Sequence, residues 1–281
     1  MSDTGDTQRP GAGSSVFTER TPRVVAARRL IRRAERTKTG RFLAEGANAV
    51  GAALENAPVV HELFVTEQAG SRHRGLTERA RDRGVPVSTI TDKAAAGLSE
   101  TVTPQGILAV CGLMDVPVET ALAGSPRLVA VLAGITDPGN AGTVLRTADA
   151  AGADAVLFAG QTVDPHNGKC VRASAGSLFH VPVAREPELS SALRACRDAG
   201  LRVFGTSGTA RRLAYPGAEW LAGPTAWVFG SEAHGLSEAT GVDEFLALPI
   251  HGRAESLNLA AAASVCLYTS AFTDRPENRH A

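Results

Sequence analysis

Short apolar runs alternate with stretches of helical periodicity along most of this 281-residue chain. In the first half, strands are predicted at RFLAEG, VHELFVTE, VPVSTIT and GILAVCGL. Three helices are predicted between these strands. The first reaches about Ala57, the second ends at Gly84, and the third begins with a cap at Asp92. This alternation indicates a small α/β domain over residues 20–113. Residues 1–19 are rich in Gly, Ser, Thr and Asp, which favours a flexible tail.

Apolar runs in the second half are longer and more continuous. Strands are predicted there at LVAVLAGI, AVLFAG, LRVFGTSG, PTAWVFGSE and EFLALPI. Three helices are predicted between or after them, from a cap at Asn140 to Ala151, over 188–199, and from a cap at Ser256 to about Phe272. Apolar strands that alternate with helices predict a mainly parallel sheet covered on both faces, over residues 128–281. Residues 114–127 carry two prolines and are interpreted as a linker with room for a short helix.

Residues 20–41 form a basic segment, RTPRVVAARRLIRRAERTKTGR. It holds nine basic residues against one acidic residue, a net charge of +8 in a chain with 29 basic and 29 acidic residues. Its apolar positions predict a helix with one packed stripe, formed by Val24, Val25, Leu30 and Ile31. Charge runs are often solvated helix faces, but this local excess in a neutral protein favours a polyanion partner. The candidate contacts are Arg28, Arg29, Arg32, Arg33, Arg36, Lys38 and Arg41.

Composition narrows the class of protein further. The four cysteines form no C-x-x-C pair, so neither a zinc site nor a disulfide framework is expected, and no metal. Such cysteine usage fits a reducing, cytoplasmic setting. The first 15 residues lack the apolar core of a signal peptide. No apolar run reaches the ~18–20 residues that a membrane-spanning helix needs.

Polar and glycine-rich loops follow the predicted strands of the second half, in DPGNAGTVLRTADAAGAD, VFGSEAHGLS and LPIHGRAESLNLAAAASVCLY. Because ligands bind beyond the carboxyl ends of parallel strands, these loops are expected to lie close together. A fourth loop, GTSGTA, lacks a dinucleotide fingerprint, so its value is positional. Several polar residues also have a structural explanation: Arg146 could reach solvent, and Glu232 or Ser256 could cap a turn. Asn258 is a poor helix former and has no such explanation.

In order and spacing, the three loops resemble the signature motifs of the SpoU (TrmH-like) branch of the SPOUT RNA methyltransferases. The resemblance covers most of the chain from about 128 to 272. The stretches RFLAEG and TVTPQGILAVC are similar, more weakly, to the small ribosomal-protein-like RNA-binding domain often fused to this branch. The resemblance implies an α/β fold with a deep trefoil knot, bound S-adenosylmethionine, a homodimer and an RNA partner.

Roles for individual residues follow from their positions in these motifs. The resemblance implies a catalytic set of Asn140, Arg146, Glu232, Ser256 and Asn258. It implies a methyl-donor pocket lined by Thr206, Ser207, Gly208, Gly230, Leu248, Ile250 and Leu257. The basic segment then becomes an RNA-binding surface. Arg146 is either a base or a charged stabiliser, and its guanidinium, which stays protonated above pH 12, makes the role of base difficult.

The implied reaction is methyl transfer from S-adenosylmethionine to a ribose 2′-hydroxyl, in 23S ribosomal RNA in the first place. Transfer RNA is the alternative substrate. A non-catalytic RNA-binding factor is a second alternative, which the full set of motif residues disfavours. A nucleotide-dependent oxidoreductase is a third, but AGITDPGNAG does not supply the fingerprint that it needs after the first strand.

Overall fold

The fold is described from a computed structural model, which covers residues 16–56, 60–208, 210–215, 218, 221–231, 235–237 and 240–274. Most of the predicted flexible tail and the predicted helix end at Ala57 lie outside these ranges. The described end of that tail is held in place. Phe17 donates its backbone N–H to the Thr89 carbonyl and accepts one from Thr91, each over 2.8–2.9 Å.

The first half of the chain forms a four-stranded sheet in the order β1-β4-β2-β3. Its strands are β1 (Arg41–Glu45), β2 (Val60–Val65), β3 (Val87–Thr89) and β4 (Ile107–Gly112). The central strand β4 runs antiparallel to both neighbours, whereas β2 and β3 are parallel. The helices of this half are α1 (Pro22–Arg29), α2 (Arg33–Thr39), α3 (Ala47–Asn56), α4 (Glu67–Arg72), α5 (Arg74–Asp82) and α6 (Asp92–Leu98). The four predicted strands are confirmed here, but two helices, α4 and α5, lie between β2 and β3, where one was predicted.

The second half forms a seven-stranded sheet in which every pairing is parallel. Its strands, in spatial order, are β7 (Val183–Glu186), β6 (Ala155–Ala159), β5 (Leu128–Ala133), β10 (Thr225–Phe229), β8 (Arg202–Thr206), β11 (Glu244–Ala247) and β9 (Arg212–Leu213). The helices are α7 (Val118–Ala121), α8 (Pro138–Ala150), α9 (Gly168–Ser174), α10 (Leu189–Asp198) and α11 (Leu259–Asp274), with a 3-10 turn at Ser177–Phe179. The predicted parallel α/β sheet is confirmed.

The central strands of the large sheet are apolar along their length, and successive residues point to opposite sides. Both faces of the sheet are therefore apolar. In β5, Val129 and Val131 pack in a cluster with α7 and α10, whereas Leu128, Ala130 and Leu132 pack with α8 and α11. The cluster that contains Leu128, Ala130 and Leu132 also contains residues of β1 and α3, so one apolar core runs through both sheets. This shared core determines where the small sheet lies on the large one.

Helix starts and breaks differ from the sequence-based predictions in four places. The basic segment forms two helices, α1 and α2, with Leu30 to Arg32 between them. The α6 cap is Thr91, whose hydroxyl accepts the Ala94 N–H, and the predicted cap at Asp92 is wrong. Likewise α8 is capped by Asp137 rather than Asn140, and α11 begins at Leu259 rather than Ser256. Thr91 and Asp137 lie just before the predicted helix starts, and each offers an oxygen to the first turn of its helix.

Candidate functional site

Four neighbouring strands, β5, β10, β8 and β11, end at the same edge of the large sheet. The polar loops of the sequence follow directly from these ends: 134–137 after β5, 207–208 after β8, 230–231 after β10, and 248–258 after β11. The parallel direction of the strands brings the loops together, as the sequence predicts.

The last three of these loops, after β8, β10 and β11, line a cavity of about 400 Å³. Its lining includes every residue predicted for the methyl-donor pocket, namely Thr206, Ser207, Gly208, Gly230, Leu248, Ile250 and Leu257. Two of the predicted catalytic residues, Ser256 and Asn258, also line it. Five lining residues had not been singled out from the sequence, namely Ser231, Gly235, Glu255, Leu259 and Ala262. Each of these lies within four residues of a predicted site residue in the sequence.

The backbone makes a close approach at Gly230. A Cβ atom there would lie 2.4 Å from the carbonyl carbon and oxygen of Gly235, which no side chain tolerates. Gly235 has a φ of 62° and donates its N–H to the Ser231 carbonyl over 2.8 Å. The two glycines therefore close a tight turn after β10. The predicted catalytic residue Glu232 lies outside the described residues.

Asn258 is the cap of α11. Its Oδ1 accepts the Ala260 N–H at 2.9 Å and the Ala261 N–H at 3.4 Å. Its Nδ2 donates to Asn140 Oδ1 over 3.3 Å. The cap predicted at Ser256 is therefore wrong, and the capping role belongs to the asparagine that helix propensity left unexplained. Ser256 is an exposed residue on the cavity wall.

The first turn of α8 is held by a contact that was missed in the sequence. The Asp137 carboxylate accepts the Asn140 N–H over 3.0 Å and the Lys169 ammonium over 2.5 Å. Hydrogen bonding from Lys169 lowers the pKa of the Asp137 carboxyl below its ordinary value, against the opposing effect of burial. An aspartate directly before a proline at the first helical position is a known helix-start signal, and it could have identified this cap.

Arg146 projects from α8 into solvent. Its neighbours Val144 and Leu145 are fully buried, so the helix presents the arginine on its outer side. Within the described part of the chain, its guanidinium makes no hydrogen bond or ion pair. Arg146 does not line the cavity, but its helix is joined to the cavity wall through the Asn140–Asn258 hydrogen bond. An unpaired cation beside a ligand-sized cavity is suited to bind an anionic group.

The basic segment presents most of its charge to solvent. Six of the predicted contacts are exposed: Arg28, Arg29, Arg32, Arg33, Lys38 and Arg41. Arg36 is different, because only 4% of it is exposed and its guanidinium pairs with Asp164. Its prediction as a polyanion contact is therefore wrong. The packed stripe is confirmed for Val24 and Leu30, which are buried, whereas Val25 and Ile31 are only partly covered.

No helix in the described ranges is both long and apolar enough to cross a membrane. Among the same residues, no group of three His, Cys, Asp or Glu side chains is arranged to hold a metal ion. The four cysteines are free and buried. Burial raises the pKa of the Cys170 and Cys196 thiols to about 12, which makes both unreactive.

The fold and the site define an α/β protein with a ligand-binding cavity at the carboxyl edge of a parallel sheet. Comparison with known proteins then identifies its family. Residues 127–268 match the SpoU rRNA Methylase family, and residues 21–109 match the MRM3-like substrate binding domain. The chain belongs to the SpoU rRNA Methylase family, which confirms the resemblance read from its motifs.

Relatives of known name are similar over nearly their whole length. The 23S rRNA (guanosine(2553)-2′-O)-methyltransferase RlmP of Bacillus subtilis is 36% identical, over 86% of this chain and 92% of the relative. The 23S rRNA (guanosine-2′-O-)-methyltransferase RlmB of Photobacterium profundum is 32% identical, over 79% and 94%.

Two solved structures share the fold. The AdoMet-bound rRNA methyltransferase from Sinorhizobium meliloti superimposes with a TM-score of 0.78 at 28% identity, covering 91% of this chain and 97% of that one. The SpoU methyltransferase AviRb from Streptomyces viridochromogenes, in complex with AdoMet, gives a TM-score of 0.77 at 27% identity, covering 89% and 98%. Both similarities extend across the small and the large sheet.

Proposed function

We propose that this protein is an S-adenosylmethionine-dependent RNA methyltransferase that acts on a ribose 2′-hydroxyl of 23S ribosomal RNA. The observation that carries the proposal is the cavity of about 400 Å³ at the sheet edge, which is lined by two of the motif loops, after β10 and β11, and by the glycine-rich loop after β8. Its support from relatives is twofold. Structures with the same fold were solved with AdoMet bound, and named relatives methylate guanosine 2′-hydroxyls in 23S rRNA.

The cavity suits the chemistry of S-adenosylmethionine. Leu248, Ile250 and Leu257 offer apolar surface to a flat heterocycle, whereas residues 206–208 offer hydroxyl and backbone groups to polar atoms. Glu255 adds a carboxylate at the wall, which favours a positively charged ligand. The volume is within the range of about 300–1,000 Å³ typical of small-molecule sites.

When bound, S-adenosylmethionine supplies a methyl group already activated by a positively charged sulfur. The protein must then hold the ribose oxygen in line with that methyl group and stabilise the charge that develops on the oxygen. We assign this stabilising role to Arg146, because a guanidinium keeps its charge in proteins and this one has no competing partner among the described residues. Asn140 and Asn258 keep the helix of Arg146 against the cavity wall.

We propose a division of labour between the two halves of the chain. The small α/β half, residues 20–113, selects the RNA through the exposed arginines of its basic segment, and the half from residue 128 performs the reaction. RNA backbone binding requires such cations and weakens steeply with salt. The cytoplasm is the proposed location, because ribosomal RNA is the proposed substrate.

We also propose a trefoil knot and a homodimer. The position of β10 between β5 and β8, with β11 on the other side of β8, is compatible with a threaded chain. For the dimer, α11 leaves Val265 44% and Phe272 61% exposed, which provides apolar surface for a second copy. Sedimentation equilibrium tests the dimer, and an experimental trace of residues 230–258 tests the knot.

The decisive experiment maps 2′-O-methylation across total RNA from strains with and without the gene. We expect one or a few 23S rRNA positions to lose the modification and to regain it with the purified protein and S-adenosylmethionine. Loss of a methyl group from transfer RNA alone would replace the substrate assignment. S-adenosylmethionine binding with no RNA methylated anywhere would instead support a non-catalytic RNA-binding factor.

A further inference from the structure

A cluster of polar and charged side chains is buried or half-buried where the small sheet meets the large one, away from the cavity. We call it the junction cluster; it consists of Arg36, Asp115, Asp164, His166 and Arg185. Arg36 belongs to α2, whereas Asp164 and His166 lie in the loop between β6 and α9. Arg36, Asp164 and His166 are 4%, 6% and 1% exposed. Burying charged groups this deeply costs free energy, so the presence of this ion pair requires an explanation.

The Arg36 guanidinium is almost fully used. Its Nε and Nη2 donate to Asp164 Oδ2 over 2.9 and 2.7 Å. Its Nη1 donates to the carbonyls of Leu30 and Ile31 over 3.0 and 2.8 Å. Those carbonyls lie at the break between α1 and α2, where the helical hydrogen bonds stop. One side chain therefore holds the bend of the basic segment and attaches it to the large domain.

Asp164 is held from the other side by the large domain. Its Oδ1 accepts the backbone N–H of His166 over 3.0 Å, and the His166 ring nitrogen Nδ1 is 3.5 Å away. His166 Nε2 accepts the Met114 N–H over 3.0 Å, so the proton of the neutral ring is on Nδ1, facing Asp164 and Asp115. Asp115 is in turn paired with Arg185. These contacts hold the loop that carries Asp164, and none of them involves α2.

A short route of packed atoms connects this loop to Arg146. Asp164 is four residues before α9, and α9 packs closely against α8. At the contact, a Cβ atom on Gly142 would lie 2.3 Å from the Cys170 carbonyl oxygen, so the two helices approach each other closely. α8 carries Arg146. The bend of the basic segment and the proposed catalytic arginine are therefore attached to the same closely packed helix pair.

The shared apolar core already holds the two sheets together, so the junction cluster has a narrower task. A buried ion pair adds little net stability compared with apolar residues, but it accepts only one geometry. We infer that Arg36 and Asp164 are positioning residues, which set the direction in which α1 and α2 present their exposed arginines to RNA relative to Arg146. The effect expected on the methylation rate rests on the proposed function. The effect expected on the direction of α1 and α2 does not.

The structural consequence is tested by distance measurement. The native cysteines are all buried, so spin labels on Ala34→Cys in α2 and Ser190→Cys in α10, both exposed positions, react selectively. In the full-length protein, pulsed electron paramagnetic resonance should give a narrow distance distribution that broadens with Arg36→Met. A second pair, Ser71→Cys with Ser190→Cys, should stay narrow in both proteins, because the shared core holds α4.

The catalytic consequence is tested with 23S rRNA isolated from a strain that lacks the gene. Arg36→Met should lower the single-turnover methylation rate about 10²-fold, the size expected for misplaced groups, while the Kd values for RNA and S-adenosylmethionine stay the same. The slope of log Kd for RNA against log salt should also be unchanged. Arg32→Met, at an exposed position, should instead weaken RNA binding and reduce that slope by about 1. Arg74→Met, 81% exposed on α5, is the matched control.

An unchanged Ala34–Ser190 distribution together with an unchanged single-turnover rate would overturn the inference. A changed salt slope in Arg36→Met would also contradict it, because the residue would then be a phosphate contact. If Arg36→Met does not fold, Asp164→Asn provides the same comparison, since its amide oxygen still accepts the His166 N–H. If the wild-type protein methylates no RNA, the proposed function fails, and the distance measurement still decides the positioning role.

Discussion

Asn258 Nδ2 donates a hydrogen bond to Asn140 Oδ1 over 3.3 Å, which joins two residues that are 118 positions apart in the chain. Asn140 is in the first turn of α8, on the helix of Arg146, and Asn258 caps α11 on the cavity wall. A single amide therefore begins one helix and fixes the position of another. The amide oxygen caps α11 and the amide nitrogen contacts Asn140. A substitution can therefore remove one contact and keep the other.

Asn258→Asp should keep the stability of the protein and lose much of its activity. The carboxylate retains the oxygen that caps α11, and a negative charge at a helix start is favourable. It removes the N–H that Asn140 accepts and places two oxygens against each other. We expect a melting temperature close to that of the wild type and a lower methylation rate, measured by differential scanning calorimetry and by tritiated methyl incorporation.

Asn258→Ala is the companion variant. It removes both the cap and the contact with Asn140, so it should cost about 1 kcal/mol of unfolding free energy as well as activity. Equal melting temperatures for Asn258→Ala and Asn258→Asp would show that the cap seen at Asn258 contributes no stability.

Arg146→Ala should abolish methyl transfer and leave S-adenosylmethionine binding intact. The side chain is exposed and does not line the cavity, so neither folding nor cofactor binding depends on it. Loss of one electrostatic contact to a transition state costs about 10²–10³ in rate. Isothermal titration calorimetry and single-turnover kinetics measure the two properties separately. Arg194→Ala, an exposed arginine on α10, controls for the lost charge, and equal loss of binding and rate in Arg146→Ala would refute the assignment.

Gly142→Ala should destabilise the protein. The new methyl group would lie 2.3 Å from the Cys170 carbonyl oxygen and 2.7 Å from the Ala173 Cβ, so α8 and α9 would have to separate. Such overpacking typically costs 1–3 kcal/mol, about the range we expect here. Gly97→Ala in α6 is the control, because nothing lies within 4 Å of its added Cβ, and it should stabilise by about 0.5–1 kcal/mol. Chemical denaturation of both variants checks the contrast in sign.

The Arg36–Asp164 pair should stabilise the protein at neutral pH and fail only in acid. Burial by itself would raise the pKa of Asp164, but hydrogen bonds from His166 and the Arg36 guanidinium outweigh it and hold this pKa well below its ordinary value. A depressed carboxyl pKa contributes stability above the unfolded pKa of about 3.9 and loses it as pH falls through the folded pKa. Urea unfolding of Arg36→Met should therefore show a loss of about 3–5 kcal/mol that is constant from pH 5 to 8 and shrinks below about pH 4. A loss that already shrinks between pH 8 and 5 would contradict this assignment.

The order of strands and helices was predictable because it depends on local apolar patterns, which neighbouring residues determine. The residues at which the helices begin were less predictable. Thr91 competes with the adjacent Asp92, and Asp137 competes with Asn140 three residues on. The choice in each pair depends on backbone angles that the sequence does not specify. The individual lining residues came from the resemblance to the family's motifs, but the meeting of the loops was predictable for a different reason. The motif residues follow parallel strands, and such strands end at one edge.

By itself, the sequence determined that this chain builds a parallel α/β sheet with three polar loops at one edge and a separate basic segment. Only the tertiary structure decided that one arginine of that segment is buried and that one asparagine caps a helix. Arg36 meets Asp164 across 128 positions of sequence, and Asn258 meets Asn140 across 118. Contacts of this kind depend on how whole elements pack, and a buried arginine and an exposed one look the same in a charge count. That is why the charge run predicted the surface correctly as a whole and one of its members wrongly.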